Sequence, residues 1–494
     1  MAKANHKEIY KLANKLSSKH ELNNKEIAII LAAGHGKRIK SQRSKMLHKI
    51  WGVPTVQRVY NASRAGIKNL ATIIVVGIKA DDVMETLGKN DKNIFAYQEK
   101  QDGTGHAVQV ALQKIRDKNF DGIIYVLPGD MGLIDKETMK SFRKSFLSSD
   151  ADMMVLTGIY EGDPAENSYG RIIRAKNEDE NGIPTIDEGN VLQIIENKDI
   201  HALKADTPYR VTYKGITYAY TKKELIENNE FNSGVYAFKY GKLKELIKNL
   251  SSNNIQKEIY ITDLIESFNS KGYSVKAVSP EKKYTVMGFN NKSVLKEMES
   301  VARKLVYEKI KDIIEIEDPD DFFIHENVLE QILRMDKKNI PLDITLGKGV
   351  IIDDGVKLNY GLELKRNVFI SGNVHFGKNV TVWQSAHLST FPEQTFKIGN
   401  GVEILRADII KGNISIGDNS RIESSVNMTG SDEYPVRIGK KVLIKGTSYV
   451  FGSKIGDGTH IEHSVLIKKK IGTGKKIRFY IPEAEGVEGI IMLK

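Results

Sequence analysis

The chain has 494 residues, of which 74 are lysine or arginine and 63 are aspartate or glutamate, giving a formal net charge of +11. This is about three times the roughly 150 residues of a typical domain, so more than one hydrophobic core is expected. The absence of cysteine excludes disulfide frameworks, thiol catalysis and cysteine metal sites. No apolar stretch approaches the ~20 residues of a membrane span, so we expect a soluble protein without a membrane partner.

The basic residues are spread along the chain. They are not gathered into an arginine-rich arm with interleaved aromatics, so we expect no nucleic-acid partner. Residues 1–24 are polar and lysine-rich, with apolar residues at Ile9, Leu12 and Leu16. This spacing predicts an amphipathic helix rather than a signal peptide, and therefore a cytoplasmic protein.

From residue 26 to about residue 286, short apolar runs alternate with longer amphipathic segments, which is typical of βα units on a mixed, mostly parallel sheet. Strands are predicted at residues 27–32, 72–76, 123–127, 152–157 and 235–238. Helices are predicted at residues 55–65, 107–116 and 136–146. A polar turn at 177–182 predicts a hairpin that joins residues 171–175 to 183–186 at the sheet edge.

A five-residue motif recurs in the second half: an apolar residue, glycine, a polar residue, often glycine, asparagine or lysine, and a small or branched residue. Its copies begin at Leu346, Phe376, Ile398, Ile416, Ile438, Ile455 and Ile471. Successive copies start 30, 22, 18, 22, 17 and 16 residues apart, which clusters near three hexapeptides per coil. Such repeats predict a β-helix solenoid with inward-pointing branched side chains, and the longer intervals indicate inserted loops or irregular coils.

These patterns divide the chain into four predicted segments. Residues 1–24 form an N-terminal helical extension and residues 25–292 an α/β domain. Residues 293–338 form a connecting helical segment, and residues 339–494 form the β-helix.

The first apolar run leads into the sequence LAAGHGKR at residues 31–38. A strand that ends in small residues and a Gly-x-Gly turn lets backbone N–H groups approach a phosphate. The turn lacks the third glycine of a dinucleotide fingerprint and the Gly-Lys-Ser/Thr of a P-loop, which argues against both chemistries. The candidate nucleotide-binding residues of this turn are Leu31, Ala32, Ala33 and Gly34.

Further motifs follow in order: SKML (44–47), QEKQDGTGHA (98–107), PGD (128–130), YGRI (169–172), IENKD (195–199), FNSG (231–234), EIYITD (258–263) and GFNN (288–291). Together they resemble the sugar nucleotidyltransferases, and most specifically the bacterial bifunctional N-acetylglucosamine-1-phosphate uridylyltransferase and glucosamine-1-phosphate acetyltransferase family. The resemblance implies a Rossmann-like α/β nucleotidyltransferase domain followed by a left-handed parallel β-helix of hexapeptide repeats.

The charged residues suit phosphoryl chemistry. Arg38 and Lys45 follow the glycine turn, where their charges can hold a triphosphate and stabilise the charge of the transition state. Asp130 ends a predicted strand at the carboxyl edge of the sheet, where a carboxylate suits Mg²⁺. The resemblance implies that Asn290 supplies a second metal ligand.

The resemblance also implies two sets of substrate-binding residues. Gln98, Gly103 and Thr104 match positions that face the pyrimidine ring of the nucleotide. Gly170, Glu196 and Asn232 match positions that bind the sugar hydroxyls and the N-acetyl group. The segment between Lys198 and Phe231 is longer than in the family, with residues 212–221 predicted as an added strand.

The acetyltransferase motifs of the family are missing from the second half. His387, His460 and His463 lack the flanking tyrosine, asparagine and lysine pattern, so we expect no acetyltransferase activity. Solenoids of this type commonly trimerise in the families that this chain resembles, so we expect a homotrimer formed through the β-helix.

The resemblance therefore implies a Mg²⁺-dependent enzyme that joins UTP and N-acetylglucosamine 1-phosphate into UDP-N-acetylglucosamine, a cell-wall precursor, and releases pyrophosphate. Two alternatives stay open. One is the same reaction with another hexose 1-phosphate or nucleotide, and the other is a protein that senses nucleotide sugars or serves assembly.

Overall fold

A computed structural model of the chain describes residues 6–18, 25–34, 36–252 and 257–480. It separates into two compact units, Met1–Glu299 and Ser300–Lys494. The parts of the predicted N-terminal extension at residues 1–5 and 19–24, and the part of the predicted β-helix at 481–494, lie outside the described residues. No described helix is both long enough and apolar enough to cross a membrane.

The described helices are α1 (His6–Leu16), α2 (Thr55–Gly66), α3 (Ala80–Leu87), α4 (Thr104–Leu112), α5 (Lys136–Leu147), α6 (Asn197–Ala202), α7 (Lys222–Glu227), α8 (Tyr240–Leu246), α9 (Leu264–Ser270), α10 (Lys292–Ile310) and α11 (Glu326–Asp336). The strands of the first unit are β1 (Glu26–Ala32), β2 (Lys49–Ile50), β3 (Val53–Pro54), β4 (Ala71–Val76), β5 (Asn93–Tyr97), β6 (Ile123–Pro128), β7 (Met153–Ile159), β8 (Arg171–Arg174), β9 (Val191–Ile195), β10 (Tyr209–Tyr213), β11 (Ile216–Tyr220), β12 (Glu230–Lys239) and β13 (Val275–Val278).

The main sheet of the first unit has the order β13-β7-β12-β6-β1-β4-β5, with β8 and β9 attached to β12. Strand β12 runs antiparallel to its neighbours β6 and β7, while β1, β4, β5 and β6 run parallel to one another. The sheet is therefore mixed and mostly parallel, as the sequence predicts.

Both faces of this sheet are buried, because alternate residues of β1 enter different cores. Ala28 and Ile30 join the core formed with α1, α2, α3 and α5, whereas Ile27 and Ile29 join the core formed with α4, α8 and α9. The result is a three-layer α/β arrangement, in which a continuous apolar run such as that of β4 is expected for a strand covered on both sides.

The predicted hairpin is wrong in its second strand. Strand β8 pairs with β9 rather than with residues 183–186, where only an isolated bridge joins Glu178 to Pro184. Ile183 and Ile186 are 60% and 99% exposed, so they provide no buried face. The apolar residues of β9 lie against a core on each side of the sheet, and this segment forms the strand instead.

The segment between Lys198 and Phe231 contains a hairpin of its own, β10–β11, closed by a turn at Lys214 and Gly215. Val211, Tyr218 and Tyr220 pack with residues of β8 and β9 in a third, smaller core. The predicted strand at residues 212–221 thus corresponds to β11 together with the end of β10.

The strands of the second unit lie in three parallel sheets. The first contains β14 (Glu315–Ile316), β16 (Thr345–Leu346), β18 (Glu363–Leu364), β21 (Thr381–Val382), β24 (Glu403–Ile404), β27 (Arg421–Ile422), β30 (Leu443–Ile444), β33 (His460–Glu462) and β36 (Lys476–Arg478). The second contains β15 (Phe322–Ile324), β17 (Val350–Ile352), β19 (Phe369–Ser371), β22 (His387–Ser389), β25 (Ile409–Gly412), β28 (Asn427–Gly430), β31 (Tyr449–Phe451) and β34 (Val465–Ile467). The third contains β20 (Val374–Phe376), β23 (Phe396–Ile398), β26 (Ile414–Ile416), β29 (Val436–Ile438), β32 (Lys454–Ile455) and β35 (Lys470–Ile471).

These sheets are the three faces of the left-handed parallel β-helix that the repeats and the resemblance predict. Each coil stacks a fully buried apolar residue on that of the next coil, as in the register Val382, Ile404, Ile422 and Ile444. The solenoid strands begin at β14, before the boundary of residue 339 that the sequence suggests, and α11 lies between β15 and β16. The domain boundaries themselves stay predictions.

The recurring motif has a specific cause at the corners of the coils. Its fourth residue has a positive φ in all seven copies, which glycine and asparagine tolerate best. Its glycine stacks on the next coil: a Cβ on Gly417 would lie 2.6 Å from the carbonyl carbon of Gly439. Six copies lie in the third sheet, whereas Leu346 lies in the first, which explains the 30-residue interval.

Candidate active site

The candidate site lies where strands of the main sheet end at one edge. The carboxyl ends of β1, β4, β5 and β6 meet there because these strands are parallel. The amino end of β12 lies at the same edge because β12 is antiparallel to β6. Along this edge the order is β12, β6, β1, β4 and β5, and adjacent strands are about 4.8 Å apart. The edge therefore spans about 19 Å between β12 and β5.

The glycine turn after β1 leaves an open space in the middle of this edge. The carbonyl oxygen of Leu31 accepts a hydrogen bond from Gly129, and that of Ala33 accepts one from Ile78, at 3.0 and 3.4 Å. A Cβ on Gly34 would meet no atom within 4 Å. The predicted residues Leu31, Ala32, Ala33 and Gly34 thus come together as a backbone-lined turn beside the end of β6.

Lys45 lies against this turn. Gly36 adopts a left-handed conformation with φ of 62°, and a Cβ at this position would lie 2.7 Å from the Cβ of Lys45. Lys45 is the first residue of a short 3-10 helix, Lys45–Leu47, and only 9% of the residue is exposed. A glycine is therefore needed at position 36 for both its conformation and the close approach of the lysine.

Lys45, Asp130 and Asn290 form one cluster. The ammonium group of Lys45 forms an ion pair with Asp130 and donates a hydrogen bond of 2.9 Å to Oδ1 of Asn290. It also lies 5.3 Å from the centre of the Phe289 ring. Three of the predicted site residues, which are 85 and 160 positions apart in the sequence, are thus in direct contact.

The two oxygen donors of this cluster fit a small divalent cation. Oxygens of Asp130 and Asn290 already share one cation, the ammonium group of Lys45. Among the described residues there is no group of three histidine, cysteine, aspartate or glutamate side chains suited to a metal. Mg²⁺ does not need such a group, because it is usually held by one or two carboxylates together with water and substrate phosphates.

Arg38 lies apart from this cluster. It is exposed in the 3-10 helix Lys37–Ile39, and the structure shows no ion pair or hydrogen bond for its side chain among the described residues. Its guanidinium group is therefore available to an anion beside the turn.

Gln98, Gly103 and Thr104 come together at the β5 end of the edge. The side chain of Gln98 is buried and donates a hydrogen bond of 3.1 Å to the carbonyl oxygen of Gly103. Gly103 has φ of 108°, and a Cβ there would lie 2.5 Å from the carbonyl oxygen of Ile259. The hydroxyl of Thr104 accepts a hydrogen bond from the backbone of Ile261. The EIYITD segment at residues 258–263 thus holds the glycine loop in place.

Gly170, Glu196 and Asn232 come together at the β12 end. The backbone N–H of Asn232 donates a hydrogen bond of 2.9 Å to the carbonyl oxygen of Gly170. Arg171 pairs with Ile195, so Glu196 lies beside Gly170, where a Cβ would be 3.3 Å from both carboxylate oxygens. A bulge in β12 at the two residues after Asn232 changes the strand's direction at this point.

Burial, together with the nearby carboxylates of Asp199, Asp263 and Glu258, raises the pKa of Glu196 to about 7. The pKa of Asp263 is raised to about 6, again mainly by burial. This end of the site is therefore acidic and poorly solvated, whereas the middle carries the cationic side chain of Lys45.

Tyr169, Tyr236 and Arg171 support the site but are not among the residues predicted for it. Burial raises the pKa of Tyr169 to about 12, so its hydroxyl stays protonated and donates to the carbonyl oxygen of Gly288 at 2.7 Å. Gly288 lies beside Asp130, which links the β12 end to the cluster. The hydroxyl of Tyr236 accepts a hydrogen bond from Asn232 at 2.7 Å. The buried guanidinium of Arg171 donates to carbonyl oxygens of residues 164–169.

Two sequence signals could have identified these residues. Tyr169 and Arg171 flank Gly170 within the YGRI motif, and Tyr236 lies four residues after Asn232 on the same strand. Their roles depend on contacts with loops that are distant in the sequence, and the spacing of the motifs does not show these contacts.

His387, His460 and His463 have different contacts. His387 is exposed and contacts the ring of Phe369. His460 lies 3.0 Å from a carboxylate oxygen of Glu462, and Nδ1 of His463 lies 2.9 Å from the hydroxyl of Thr447.

Comparisons with known proteins agree with this architecture. Residues 28–177 match the model of the MobA-like NTP transferase domain. The chain is 35% identical to the bifunctional protein GlmU of Acetivibrio thermocellus over 306 residues, which are 61% of this chain and 57% of that protein. It is 32% identical to the GlmU protein of Caldanaerobacter subterraneus over 381 residues, covering 75% and 73% of the two chains. The GlmU protein of Clostridioides difficile is 31% identical over 371 residues, covering 73% and 71%.

The fold and the site define a nucleotidyltransferase domain of the sugar nucleotidyltransferase class, joined to a left-handed parallel β-helix. The chain belongs to the family of the bifunctional GlmU proteins, which confirms the resemblance seen in its motifs.

Proposed function

We propose that the first unit catalyses the Mg²⁺-dependent reaction of UTP with N-acetylglucosamine 1-phosphate to give UDP-N-acetylglucosamine and pyrophosphate. The observation that carries this proposal is the order of the groups along one sheet edge. The loop of Gln98 and Gly103 lies at β5, and the glycine turn with Arg38 and Lys45 follows β1. The oxygen donors of Asp130 and Asn290 lie near the end of β6, and the polar groups of Glu196 and Asn232 lie at β12. A nucleotide and a sugar joined through phosphates have the same linear order.

In this reaction a phosphate oxygen of the sugar phosphate attacks the α-phosphorus of UTP. The bond from that phosphorus to the oxygen bridging the α- and β-phosphates breaks, and pyrophosphate leaves with both electrons of that bond. The attacking oxygen is already ionised, so no side chain has to act as a covalent nucleophile. The protein contributes position and charge, which is typical of phosphoryl and nucleotidyl transfer.

Each end of the edge binds one substrate. The amide of Gln98 and the backbone around Gly103 and Thr104 read the edge of the pyrimidine. The hydrogen bond from Gln98 to the carbonyl oxygen of Gly103 holds these groups together. At the other end, the carboxylate of Glu196 accepts hydrogen bonds from sugar hydroxyls. Asn232 and the backbone at Gly170 orient the sugar.

Lys45 and Arg38 neutralise the triphosphate between the two ends. The ammonium group of Lys45 exchanges its contacts with Asp130 and Asn290 for phosphate oxygens when nucleotide binds. Asp130 and Asn290 would then hold Mg²⁺, which supplies charge neutralisation on the phosphates when it is bound.

The test is pyrophosphate release by the purified full-length protein with Mg²⁺, measured for UTP, dTTP, CTP and GTP against the 1-phosphates of N-acetylglucosamine, glucosamine, glucose and mannose. We expect activity with UTP and N-acetylglucosamine 1-phosphate. Activity confined to another pair would support the proposed reaction but contradict the proposed substrates. No activity with any pair would favour a sensing role.

We further propose that the second unit assembles as a homotrimer. Outward positions of its second sheet carry Ile351, Ile409, Tyr449 and Ile467, each between 38% and 46% exposed. Several exposed apolar side chains on one face favour a protein interface. Light scattering should give a mass three times that of the 55.4 kDa chain, and the mass of a single chain would contradict the proposal.

We propose that the second unit has no acetyltransferase activity, because the family's catalytic histidine segment is missing from the sequence. Incubation with acetyl coenzyme A and glucosamine 1-phosphate should release no free thiol above background. Thiol release that depends on His387 would contradict this proposal.

A further inference from the structure

Helix α1 covers one edge of the main sheet, formed by β5. It lies along β5, the last strand in the sheet order, with Ile9 and Ala13 buried in the core. The backbone N–H of Phe95 donates to the hydroxyl of Ser17 at 2.9 Å, and the carbonyl oxygen of Asn93 accepts from Ser18 at 2.7 Å. The helix and the residues after it thus satisfy edge groups that a further strand would otherwise bind.

The amino end of α1 contacts the last residue of β5. Nδ1 of His6 lies 2.9 Å from the hydroxyl of Tyr97, and the two rings are 5.8 Å apart. Tyr10 meets the same ring edge-on at 5.3 Å, an arrangement that aromatic pairs favour. Nε2 of His6 also lies 3.8 Å from the carboxylate of Glu99. The residues on both sides of Gln98 are therefore held by one side chain of α1.

Gln98 connects this contact to the site. Its backbone N–H donates to the carbonyl oxygen of Val76 at 2.8 Å, and its side-chain amide donates to the carbonyl oxygen of Gly103 at 3.1 Å. Tyr97 is only 8% exposed, and Gln98 3%. A shift of the Tyr97 ring would move Gln98, and with it the glycine loop, because these residues are consecutive and closely packed.

We infer that α1 is a positioning element for the nucleotide end of the site, acting through the contacts of His6 and Tyr10 with Tyr97. This inference rests on the proposed function, in which Gln98 and Gly103 meet the base. Helix α1 lies outside residues 28–177, which match the transferase model, so it adds a support that this model does not include. The residues at the β12 end lie four strands away from β5, the strand that α1 contacts.

The test compares the Michaelis constants for the two substrates in full-length variants. In the double variant His6→Ala and Tyr10→Ala, we expect the KM for UTP to rise about five- to tenfold. We expect the KM for the sugar phosphate to stay within about twofold of the wild-type value. Tyr10→Phe keeps the edge-on ring and should retain the wild-type KM for UTP. Lys11→Ala, an exposed position on the same helix, is the matched control.

Calorimetric titration of UTP into the same proteins separates this inference from the proposed function. Wild-type protein that neither binds UTP nor turns over would overturn the proposed function and the inference with it. Wild-type turnover with an unchanged KM for UTP in the double variant would overturn the inference alone. An equal rise of both constants, or a lower melting temperature with unchanged constants, would also overturn it, because either result indicates a purely structural helix.

Discussion

The two units of this protein use charged side chains in different ways. In the first unit, Lys45, Asp130 and Asn290 come from distant parts of the chain and meet at one sheet edge. In the second unit, charged pairs such as Lys440 with Asp418 and Arg421 with Glu403 link one coil to the next at the surface. Convergence of this kind is typical of a reaction site, whereas regular pairing along a solenoid is typical of a structural repeat. Substitutions should therefore affect chemistry in the first unit and stability in the second.

The largest effect is expected for Asp130→Ala. Loss of the carboxylate removes an oxygen donor from the centre of the site, so turnover should fall about 10³-fold or more while the protein stays folded. Asp135→Ala is the matched control, because Asp135 caps α5 and pairs with Lys282 outside the site. It should cost about 1 kcal/mol of stability and leave turnover unchanged. Steady-state kinetics and thermal unfolding measure both, and full activity in the Asp130 variant would remove this residue from the mechanism.

Lys45→Met should lower turnover about 10²-fold, because it removes a cation beside the triphosphate. The same change frees the oxygens of Asp130 and Asn290 from the ammonium group. The affinity of the nucleotide-free protein for Mn²⁺, measured by electron paramagnetic resonance, should therefore increase. Lys49→Met, at an exposed lysine four residues later, should change neither quantity. If the two variants have the same turnover and the same Mn²⁺ affinity, Lys45 does not act on the triphosphate.

A smaller effect is expected from pH. The pKa of Glu196 is raised to about 7, so its carboxylate fraction falls about tenfold between pH 8 and pH 6. The KM for the sugar phosphate should rise about tenfold over the same range, because the carboxylate accepts the sugar hydroxyls. Glu196→Gln should show only the dependence that comes from titration of the substrate itself. If wild type and variant have the same profile, Glu196 does not bind the sugar.

The same shift has a consequence for stability. A raised pKa means that the folded protein favours the neutral carboxyl, so its contribution to stability is present below the ordinary value of 4.5 and is lost as the pH rises through about 7. The melting temperature of Glu196→Gln relative to wild type should therefore increase from pH 4.5 to pH 8. A constant difference between the two proteins would contradict the raised pKa.

The smallest effect on catalysis is expected in the second unit. Ile422 is fully buried between Ile404 and Ile444 of the neighbouring coils. Ile422→Ala leaves a cavity and should reduce the stability of the solenoid by about 2–5 kcal/mol, and Ile422→Val by about 1 kcal/mol. Thermal unfolding measures this graded loss, and turnover per folded molecule should stay unchanged. A fall in turnover that parallels the cavity size would show that the scaffold takes part in catalysis.

The sequence predicts the fold class well because its patterns are local. The strand at β4 and the helix α5 follow from apolar periodicity, and the coil corners follow from the glycine and asparagine of the repeat. Strand β9 was not predicted, because the isoleucines at positions 183 and 186 give an apolar signal although they are exposed. An apolar residue is buried only if another helix or strand packs against it. The neighbouring residues in the sequence do not show whether such packing occurs.

The candidate site could be predicted only as a set of residues. Motif order and spacing identified Gln98, Gly170, Glu196 and Asn232. In the structure Gln98 contacts Gly103, and Gly170 contacts both Glu196 and Asn232. The contact of α1 with Tyr97 could not be foreseen, since it joins segments 91 residues apart that carry no shared motif. The catalytic and binding roles of all these residues stay predictions.

The central claim is that one sheet edge binds the nucleotide at β5 and the sugar at β12. The most direct measurement is the pair of Michaelis constants for UTP and N-acetylglucosamine 1-phosphate in Gln98→Ala and in Asn232→Ala. We predict that Gln98→Ala raises the KM for UTP alone and that Asn232→Ala raises the KM for the sugar phosphate alone. Crossed effects, or equal effects of both variants on both constants, would contradict the assignment of the two ends.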